Sequence, residues 1–232
     1  ILDRLYADNP DDTSVIRGLV LAAEGVGDRQ QAKQYLDELA ALEDDKQTEL
    51  WLFQKYLDNG FTAEVSEKLE GFKERYPEET ATLLIDAWIQ MRNGNLEESL
   101  SLTNRYLETE TENASAWRLR GRLYRLMNQP QKAISDLQRS KRIQTDPMVR
   151  MELAAVFQEM GNPQGAIGEL KDGLNDPQAP SQLWFTLEST YQQMGDRTEL
   201  DNFYRSVLEK FPQNIFWLYR IGSYYQSQGN YR

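Results

Sequence analysis

The stretch SQLWFTLESTYQQMGDRTELDNFYRSVLEKFPQN, residues 181–214, decides the fold because it divides into two amphipathic halves around a glycine. In the first half, Leu187 and Tyr191 are four residues apart, which places both side chains on one face of an α-helix. Gly195 can adopt the left-handed backbone that ends a helix, and Asp196 can cap the next one. The stretch therefore predicts two antiparallel helices joined by a tight turn.

The same kind of turn recurs along the chain at intervals of 33, 34, 34, 33, 34 and 34 residues. The turns are at Gly27-Asp28, Gly60-Phe61, Gly94-Asn95, Asn128-Gln129, Gly161-Asn162, Gly195-Asp196 and Gly229-Asn230. Prolines fall near the expected end of the second helix, where a missing N–H stops a helix, at Pro10, Pro77, Pro147, Pro177 and Pro212. No segment keeps the period of two that a strand requires. The sequence therefore predicts a repeating helical hairpin.

The composition restricts the chemistry open to this chain. Of the 232 residues, 40% are hydrophobic and 27% are charged, which is sufficient apolar content for a folded core. The chain has no cysteine and no histidine, so disulfides, Cys/His zinc sites and Ser-His-Asp triads are excluded. We therefore expect a non-catalytic protein without a cofactor or metal. No 18-residue apolar run occurs, so no membrane span is predicted.

Residues 181–214 resemble the 34-residue tetratricopeptide repeat (TPR), and the matching signature residues are Trp184, Leu187, Tyr191, Gly195, Tyr204 and Pro212. The stretch AWRLRGRLYRLMNQPQKAISDLQRS, residues 116–140, resembles a second copy through Trp117, Gly121, Tyr124, Ala133 and Ser140. The resemblance covers the whole chain. It implies an all-α, right-handed superhelical solenoid of antiparallel helix hairpins.

The phase of these copies predicts one TPR array over residues 1–232, excised from a longer array because the chain starts at Ile1 without a leader. The full repeats are 13–45, 46–79, 80–113, 114–146, 147–180 and 181–214; residues 1–12 end a preceding second helix, and 215–232 form the first helix of a truncated repeat. In repeat 80–113, Asp86, Gln90 and Thr103 occupy usual core positions. We therefore expect its first helix to be rotated or locally irregular.

The resemblance also implies a concave groove, reached from the second, fifth, ninth, twelfth and thirteenth positions of a repeat. In repeat 114–146 these positions include Arg118, Arg122 and Arg125, whereas Arg120 is predicted to point elsewhere. The repeat carries eight Lys/Arg against two Asp/Glu, in a chain of net charge −11. Three interpretations stay open: ion pairs with carboxylates of neighbouring helices, a docking patch for an acidic partner segment, or nucleic-acid binding, which one basic repeat hardly supports.

The same groove rule selects six apolar residues: Trp88, Met91, Met151, Phe185, Phe216 and Tyr219. Apolar residues at helical spacing are commonly core residues, and Trp88 belongs to the core if its helix is rotated. If they are exposed, they form an apolar track suited to an extended peptide or to sugar stacking.

The predicted function is a protein–protein interaction scaffold that binds a protein partner through the groove or the edges of the solenoid. A less specific resemblance is to the periplasmic TPR region of bacterial exopolysaccharide exporters of the Pel type. That resemblance implies recruitment of a polysaccharide-modifying enzyme and guidance of a cationic polysaccharide in the bacterial periplasm, with the cytoplasm as the alternative location. A docking or regulatory module of a larger enzyme is the third alternative.

Overall fold

The structure of the protein is a computed structural model that describes residues 2–176 and 179–228. Over these residues the chain forms 14 α-helices and no strand, so the all-α prediction is confirmed. The predicted turn at Gly229-Asn230 and the predicted helix stop at Pro177 lie outside the described residues. The chain divides into two compact units, Ile1–Asn128 and Gln129–Arg232, which we call the N-terminal unit and the C-terminal unit.

Each unit consists of helical hairpins with one unpaired helix at each of its ends. The N-terminal unit contains α1 (Leu2–Asp8), α2 (Thr13–Val26), α3 (Arg29–Leu42), α4 (Lys46–Asp58), α5 (Thr62–Arg75), α6 (Ala81–Arg92), α7 (Leu96–Thr109) and α8 (Ala114–Leu126). The C-terminal unit contains α9 (Pro130–Ile143), α10 (Pro147–Glu159), α11 (Pro163–Gly173), α12 (Ser181–Met194), α13 (Arg197–Lys210) and α14 (Ile215–Ser227).

The first helix of each predicted repeat begins at the first residue of that repeat, or one residue later in α6. The predicted repeat 114–146 differs from the others because α8 belongs to the N-terminal unit and α9 to the C-terminal unit. A single array over residues 1–232 therefore stays a prediction.

The turns between paired helices have the backbone that the sequence predicts. A positive φ occurs at Gly27, Gly60, Gly94, Asn128, Gly161 and Gly195. The side chains of Asp28, Asn162 and Asp196 accept a hydrogen bond from a backbone N–H in the first turn of the helix that follows. Asn95 does not cap α7 with its side chain, because its Nδ2 donates to Oε1 of Gln90 at 2.7 Å.

One predicted helix stop was wrong. α9 ends at Ile143, and Pro147 is the first residue of α10 rather than the terminator of α9. Proline is well suited to that position, since the N–H it lacks would have no partner inside the helix. Pro77 and Pro212 do follow the ends of α5 and α13, two residues after each helix.

The helix α6 is an uninterrupted α-helix, so the local irregularity expected in repeat 80–113 is not present. It buries residues on most of its circumference: Thr82, Leu84, Ile85, Ala87, Trp88, Ile89 and Met91. The polar residues at core positions are satisfied locally, since Thr103 donates to the carbonyl of Ser99 at 2.7 Å and Asp86 pairs with Lys73 at 2.7 Å. A helix with apolar residues on all sides is buried on all sides, which explains why the buried residues of α6 do not form a single stripe.

Candidate partner-binding surfaces

Three exposed aromatic side chains lie together in the C-terminal unit, and we call them the aromatic track: Phe185 on α12, and Phe216 and Tyr219 on α14. Their exposed fractions are 37%, 51% and 78%. The rings of Phe185 and Phe216 meet edge to face with centroids 5.3 Å apart. Phe185 also stacks at 5.3 Å on Trp217, which is buried, so the track is anchored to the core of its unit.

The other apolar residues selected by the groove rule are less accessible. Met151 on α10 is partly buried against the core of the C-terminal unit. Trp88 and Met91 are 6% and 8% exposed and belong to the core of the N-terminal unit, because α6 is buried on most sides. The structure therefore favours the packing interpretation for Trp88 and Met91, which have almost no surface to offer a partner.

The three groove arginines, Arg118, Arg122 and Arg125, are partly buried on α8. The guanidinium of Arg118 lies 5.9 Å from the ring centroid of Trp88, and neither Arg118 nor Arg125 is without a partner. Nε of Arg122 is buried, and none of the residues that the structure describes forms a hydrogen bond with it.

A fourth arginine, Arg92, belongs with these three and was not selected from the sequence. We call the four arginines the basic surface. Arg92 occupies the thirteenth position of repeat 80–113, so the groove rule would have selected it. Its Nη2 donates to the carbonyl of Leu57. Burial lowers the pKa of Arg92, and repulsion from Arg122 lowers it further. Two guanidinium groups thus lie close enough to repel each other.

Arg120 contacts α7 and an aromatic ring of its own helix. Its Nη1 donates to Oδ1 of Asn104 at 2.9 Å, and its guanidinium lies 4.5 Å from the ring centroid of Trp117. Arg120 therefore stabilises the contact between α7 and α8 and is not part of the basic surface.

Many cations of the N-terminal unit pair with carboxylates on neighbouring helices, which keeps the ion-pair interpretation open for α8. The closest pairs are Arg17–Glu43 at 2.8 Å, Lys55–Glu24 at 2.8 Å, Lys73–Asp86 at 2.7 Å and Arg75–Glu49 at 2.5 Å. Desolvation raises the pKa of Asp58, although its side chain keeps 45% exposure, and Arg118 is among the groups that oppose this shift. Arg118 therefore acts electrostatically on a carboxylate of its own unit.

A buried carboxylate lies behind the aromatic track and was also missed. Glu188 on α12 is fully buried and accepts hydrogen bonds from the Tyr204 hydroxyl at 2.6 Å and from Nε of Arg220 at 2.6 Å. Burial raises the pKa of Tyr204, and the hydrogen bond to Glu188 raises it further. The guanidinium of Arg220 also lies 6.0 Å from the ring centroid of Phe216. The sequence could have indicated this buried carboxylate, because Glu188 is three residues before Tyr191 and therefore lies on the apolar face of the same helix.

The described part of the chain has few other features that suggest chemistry. No group of three or more Asp or Glu residues there could hold a metal ion. None of the helices in residues 2–176 and 179–228 is both long and apolar enough to cross a bilayer.

The paired helices and the left-handed turn residues at a 33- to 34-residue interval define a helical-repeat protein with the TPR fold. The fold is similar to that of TTC0263, a thermophilic TPR protein of Thermus thermophilus, with 18% identity, a TM-score of 0.64, and coverage of 78% of this chain and 99% of that chain. It is also similar to a monomeric mutant of IFIT1 in complex with Gppp-AAAA, with 15% identity, a TM-score of 0.68, and coverage of 99% and 63%. A third similar structure is MamA, with 17% identity, a TM-score of 0.52, and coverage of 87% and 92%.

No protein-family model matches the sequence, and no curated protein matches it significantly. At identities of 15% to 18%, the structural likeness concerns the fold alone.

Proposed function

We propose that this chain is a non-catalytic interaction scaffold that binds an extended apolar segment of a partner protein along the aromatic track. The observation that carries this proposal is the 37% exposure of Phe185 with α14 packed beside it, and Phe216 and Tyr219 extend this aromatic surface at groove positions of the next repeat. Aromatic residues at adjoining exposed positions are typical of binding surfaces and are enriched among residues that dominate binding energy.

The exposure of Phe185 supports a binding role over a packing role. α14 contacts the rest of the C-terminal unit through Trp217 and Ile221, which are both 4% exposed. Phe185 keeps 37% exposure although Phe216 and Trp217 of α14 pack against it, so α14 covers this face of α12 only in part. Burying one such side chain against a partner contributes about 1.5–3 kcal/mol. Three of them are sufficient for a specific peptide site.

The test is a triple variant, Phe185→Ser, Phe216→Ser and Tyr219→Ser, together with a single control, Met160→Ser. Peptides selected from a display library on the intact chain are measured by isothermal titration against the parent and both variants. We expect the triple variant to lose about 100-fold or more in affinity, because truncating three residues that dominate a binding surface costs about 2.8 kcal/mol or more in total. Met160 is also exposed but is not part of the track, so its variant should bind as the parent does.

Circular dichroism of the triple variant separates loss of binding from loss of fold, since all three residues are partly or largely exposed. Unchanged affinity in a folded triple variant would overturn the proposed track.

We further propose that Arg122, with Arg118 and Arg125, contacts acidic residues of a partner at the N-terminal unit. The support is the position of three partly exposed arginines on one face of α8, together with the repulsion between Arg122 and Arg92, which a bound carboxylate would relieve. The competing interpretation is that the α8 arginines only balance carboxylates of the scaffold.

Arg122→Glu should weaken the binding of acidic peptides by roughly tenfold at low salt, and the difference should shrink at about 0.5 M NaCl because screening weakens charge contacts. Arg105→Glu on α7 is the matched control, since it changes the same charge on an exposed residue of the second helix of its pair. Equal weakening by both variants, measured by fluorescence anisotropy, would point to net charge and not to a site.

A finer candidate is a periplasmic scaffold of a bacterial exopolysaccharide secretion system. It is supported by the acidic balance of the chain, with 37 Asp/Glu against 26 Lys/Arg, which suits a cationic polymer. Whether the chain is that scaffold or the docking module of a larger enzyme, it would recruit the enzyme through the aromatic track. The triple variant therefore tests the recruiting surface in all three cases.

A further inference from the structure

The chain contains two Asn-Gly sequences, and both lie in the same turn of successive repeats. Asn59-Gly60 follows α4 and Asn93-Gly94 follows α6. An asparagine before a glycine is prone to lose ammonia, because the glycine nitrogen can attack the asparagine side-chain carbonyl and no Cβ hinders it. The two turns are equivalent by position, so the sequence alone gives both asparagines the same reactivity.

The backbone of the two turns is nearly identical. The angles φ and ψ are −85° and −3° at Asn59, and −78° and −5° at Asn93. Gly60 and Gly94 are both left-handed, with φ of 90° and 84°. Each glycine N–H donates to the carbonyl three residues before it, at 2.9 Å in the first turn and 3.1 Å in the second. A difference in reactivity must therefore come from the surroundings of the turns.

The first turn is held by side chains from the preceding and the following repeat. Asn59 is 7% exposed, and its Nδ2 donates to Oε1 of Glu24 at 2.7 Å and to a backbone carbonyl of α4 at 2.9 Å. Nη2 of Arg92 donates to the carbonyl of Leu57, which also accepts the N–H of Gly60. The Asn59 amide cannot turn toward the glycine nitrogen without breaking both of its own hydrogen bonds.

The second turn is open to solvent. Asn93 is exposed, and within the described part of the chain its side chain forms no hydrogen bond. Apart from the chain neighbours of Gly94, no described residue has a heavy atom within 4 Å of the position that a Cβ on this glycine would take. The Asn93 amide can therefore rotate, and the turn can open without displacing a neighbouring side chain.

Two differences between the repeats explain why the second turn is open. Asp58 has the repeat position of Glu24 but is one methylene shorter, and it accepts a hydrogen bond from Nε2 of Gln54 at 2.7 Å. Leu126 has the repeat position of Arg92 and has no side-chain donor for the carbonyl at the end of α6. Both groups that hold the first turn are thus missing from the second.

We propose that Asn93 is a site of spontaneous deamidation in the folded chain, whereas the fold protects Asn59. In this reaction the backbone nitrogen of Gly94 forms a bond to Cγ of Asn93, and its proton leaves with the side-chain amide as ammonia. Water then opens the resulting succinimide at either carbonyl, which gives aspartate or isoaspartate. The product carries one additional negative charge next to Arg92.

The new charge bears on the basic surface, and this consequence rests on the proposed contact between Arg122 and an acidic partner. A carboxylate at residue 93 competes with the partner for the guanidinium of Arg92. We expect deamidation to weaken the binding of acidic peptides by about twofold to fivefold at low salt, which is the range of an exposed ion pair.

The experiment measures deamidation of the intact chain during incubation at mildly alkaline pH. Samples are digested with pepsin at acid pH, where deamidation is slow, and tandem mass spectrometry gives the deamidated fraction at each asparagine. We expect Asn93 to react at least about tenfold faster than Asn59, since a hydrogen bond to a charged group such as Glu24 contributes about that factor.

The unfolded chain and one variant provide the controls. In guanidinium chloride Asn59 and Asn93 should react at similar rates, because both precede glycine and the fold no longer protects either. In the folded Glu24→Ala variant, Asn59 should react roughly tenfold faster than in the parent, because its amide has lost the carboxylate acceptor. Circular dichroism verifies that this variant is folded.

Equal rates at Asn93 and Asn59 in the folded chain would overturn the proposed site, as would an Asn93 that reacts only in guanidinium chloride. Fluorescence anisotropy with acidic peptides tests the consequence on Asn93→Asp. If this variant binds as the parent does while Arg122→Glu binds more weakly, the link between Asn93 and the basic surface is wrong. If neither variant changes the affinity, the proposed acidic contact itself is wrong, and the mass spectra still decide the modification.

Discussion

Replacing Phe72 with alanine should lower the free energy of unfolding of the N-terminal unit by about 3–5 kcal/mol. Phe72 on α5 is fully buried, and its ring meets Phe53 edge to face at 5.3 Å and Tyr76 at 4.8 Å. Truncation removes the ring from both contacts and leaves a cavity between α4 and α5 that neighbouring side chains cannot fill without leaving their rotamers.

The loss is measured by urea denaturation followed by far-UV circular dichroism, with the midpoint and slope compared between parent and variant. Val26→Ala is the control, because Val26 is 80% exposed at the end of α2 and its truncation should change stability by less than about 0.5 kcal/mol. A loss below about 1 kcal/mol for Phe72→Ala would mean that α5 does not hold the core of this unit together.

The helix pattern was predictable because its signals are local. A left-handed residue at a constant interval, such as Gly195, ends one helix, and a capping residue such as Asp196 begins the next. These effects depend only on neighbouring residues, so the sequence alone carries them. The prediction for Pro147 failed because a proline near a helix boundary suits the start of the next helix as well as the end of the previous one.

The candidate surfaces were harder to predict because they depend on tertiary contacts. The same groove rule selected Trp88 and Tyr219, yet the first is 6% exposed and the second 78%. Position in the repeat sets the direction of a side chain, whereas burial depends on what the neighbouring helices place against it. α6 is apolar on most sides and is enclosed, while α14 presents Tyr219 to solvent.

The partners of charged side chains were the least predictable feature. Arg120 and Arg122 are two residues apart, yet the first binds Asn104 and lies over Trp117, while the second repels Arg92 and lowers its pKa. Long side chains reach across several residues of a neighbouring helix, so their partners depend on the spacing between helices. The length of α11, which has 11 residues where the other second helices have 14, is likewise a property of one repeat that the regular interval conceals.

Replacing Arg220 with methionine should destabilise the C-terminal unit by about 2 kcal/mol, and Glu188→Met should cost about 2 kcal/mol less in that variant than in the parent. The Glu188 carboxylate is fully buried, and Arg220 is the cation that pairs with it, at 2.6 Å. Removing one partner of a buried pair typically costs about 3–5 kcal/mol because the other charge stays buried and uncompensated. We expect a smaller value because the Arg220 side chain is 44% exposed and water partly screens the pair.

The double variant tests the cause of that loss. With both charges replaced by methionine, no uncompensated carboxylate remains, although the Tyr204 hydroxyl loses its acceptor at a cost of about 1–3 kcal/mol. Urea denaturation of the parent, the two single variants and the double variant gives the coupling energy, which should be about 2 kcal/mol. The equivalent cycle on Lys46 and Glu79, an ion pair at 2.8 Å with a 46% exposed lysine, should give less than about 1 kcal/mol.

The salt dependence separates a buried charge pair from a general effect of net charge. The coupling between Glu188 and Arg220 should persist at about 1 M NaCl because a fully buried carboxylate is screened little, whereas that of Lys46 and Glu79 should fall toward zero. Additive losses in the Glu188 and Arg220 cycle would mean that the two side chains stabilise the unit independently. In that case Arg220 would not link the buried carboxylate to Phe216, and the aromatic track would be held by the packing of Trp217 alone.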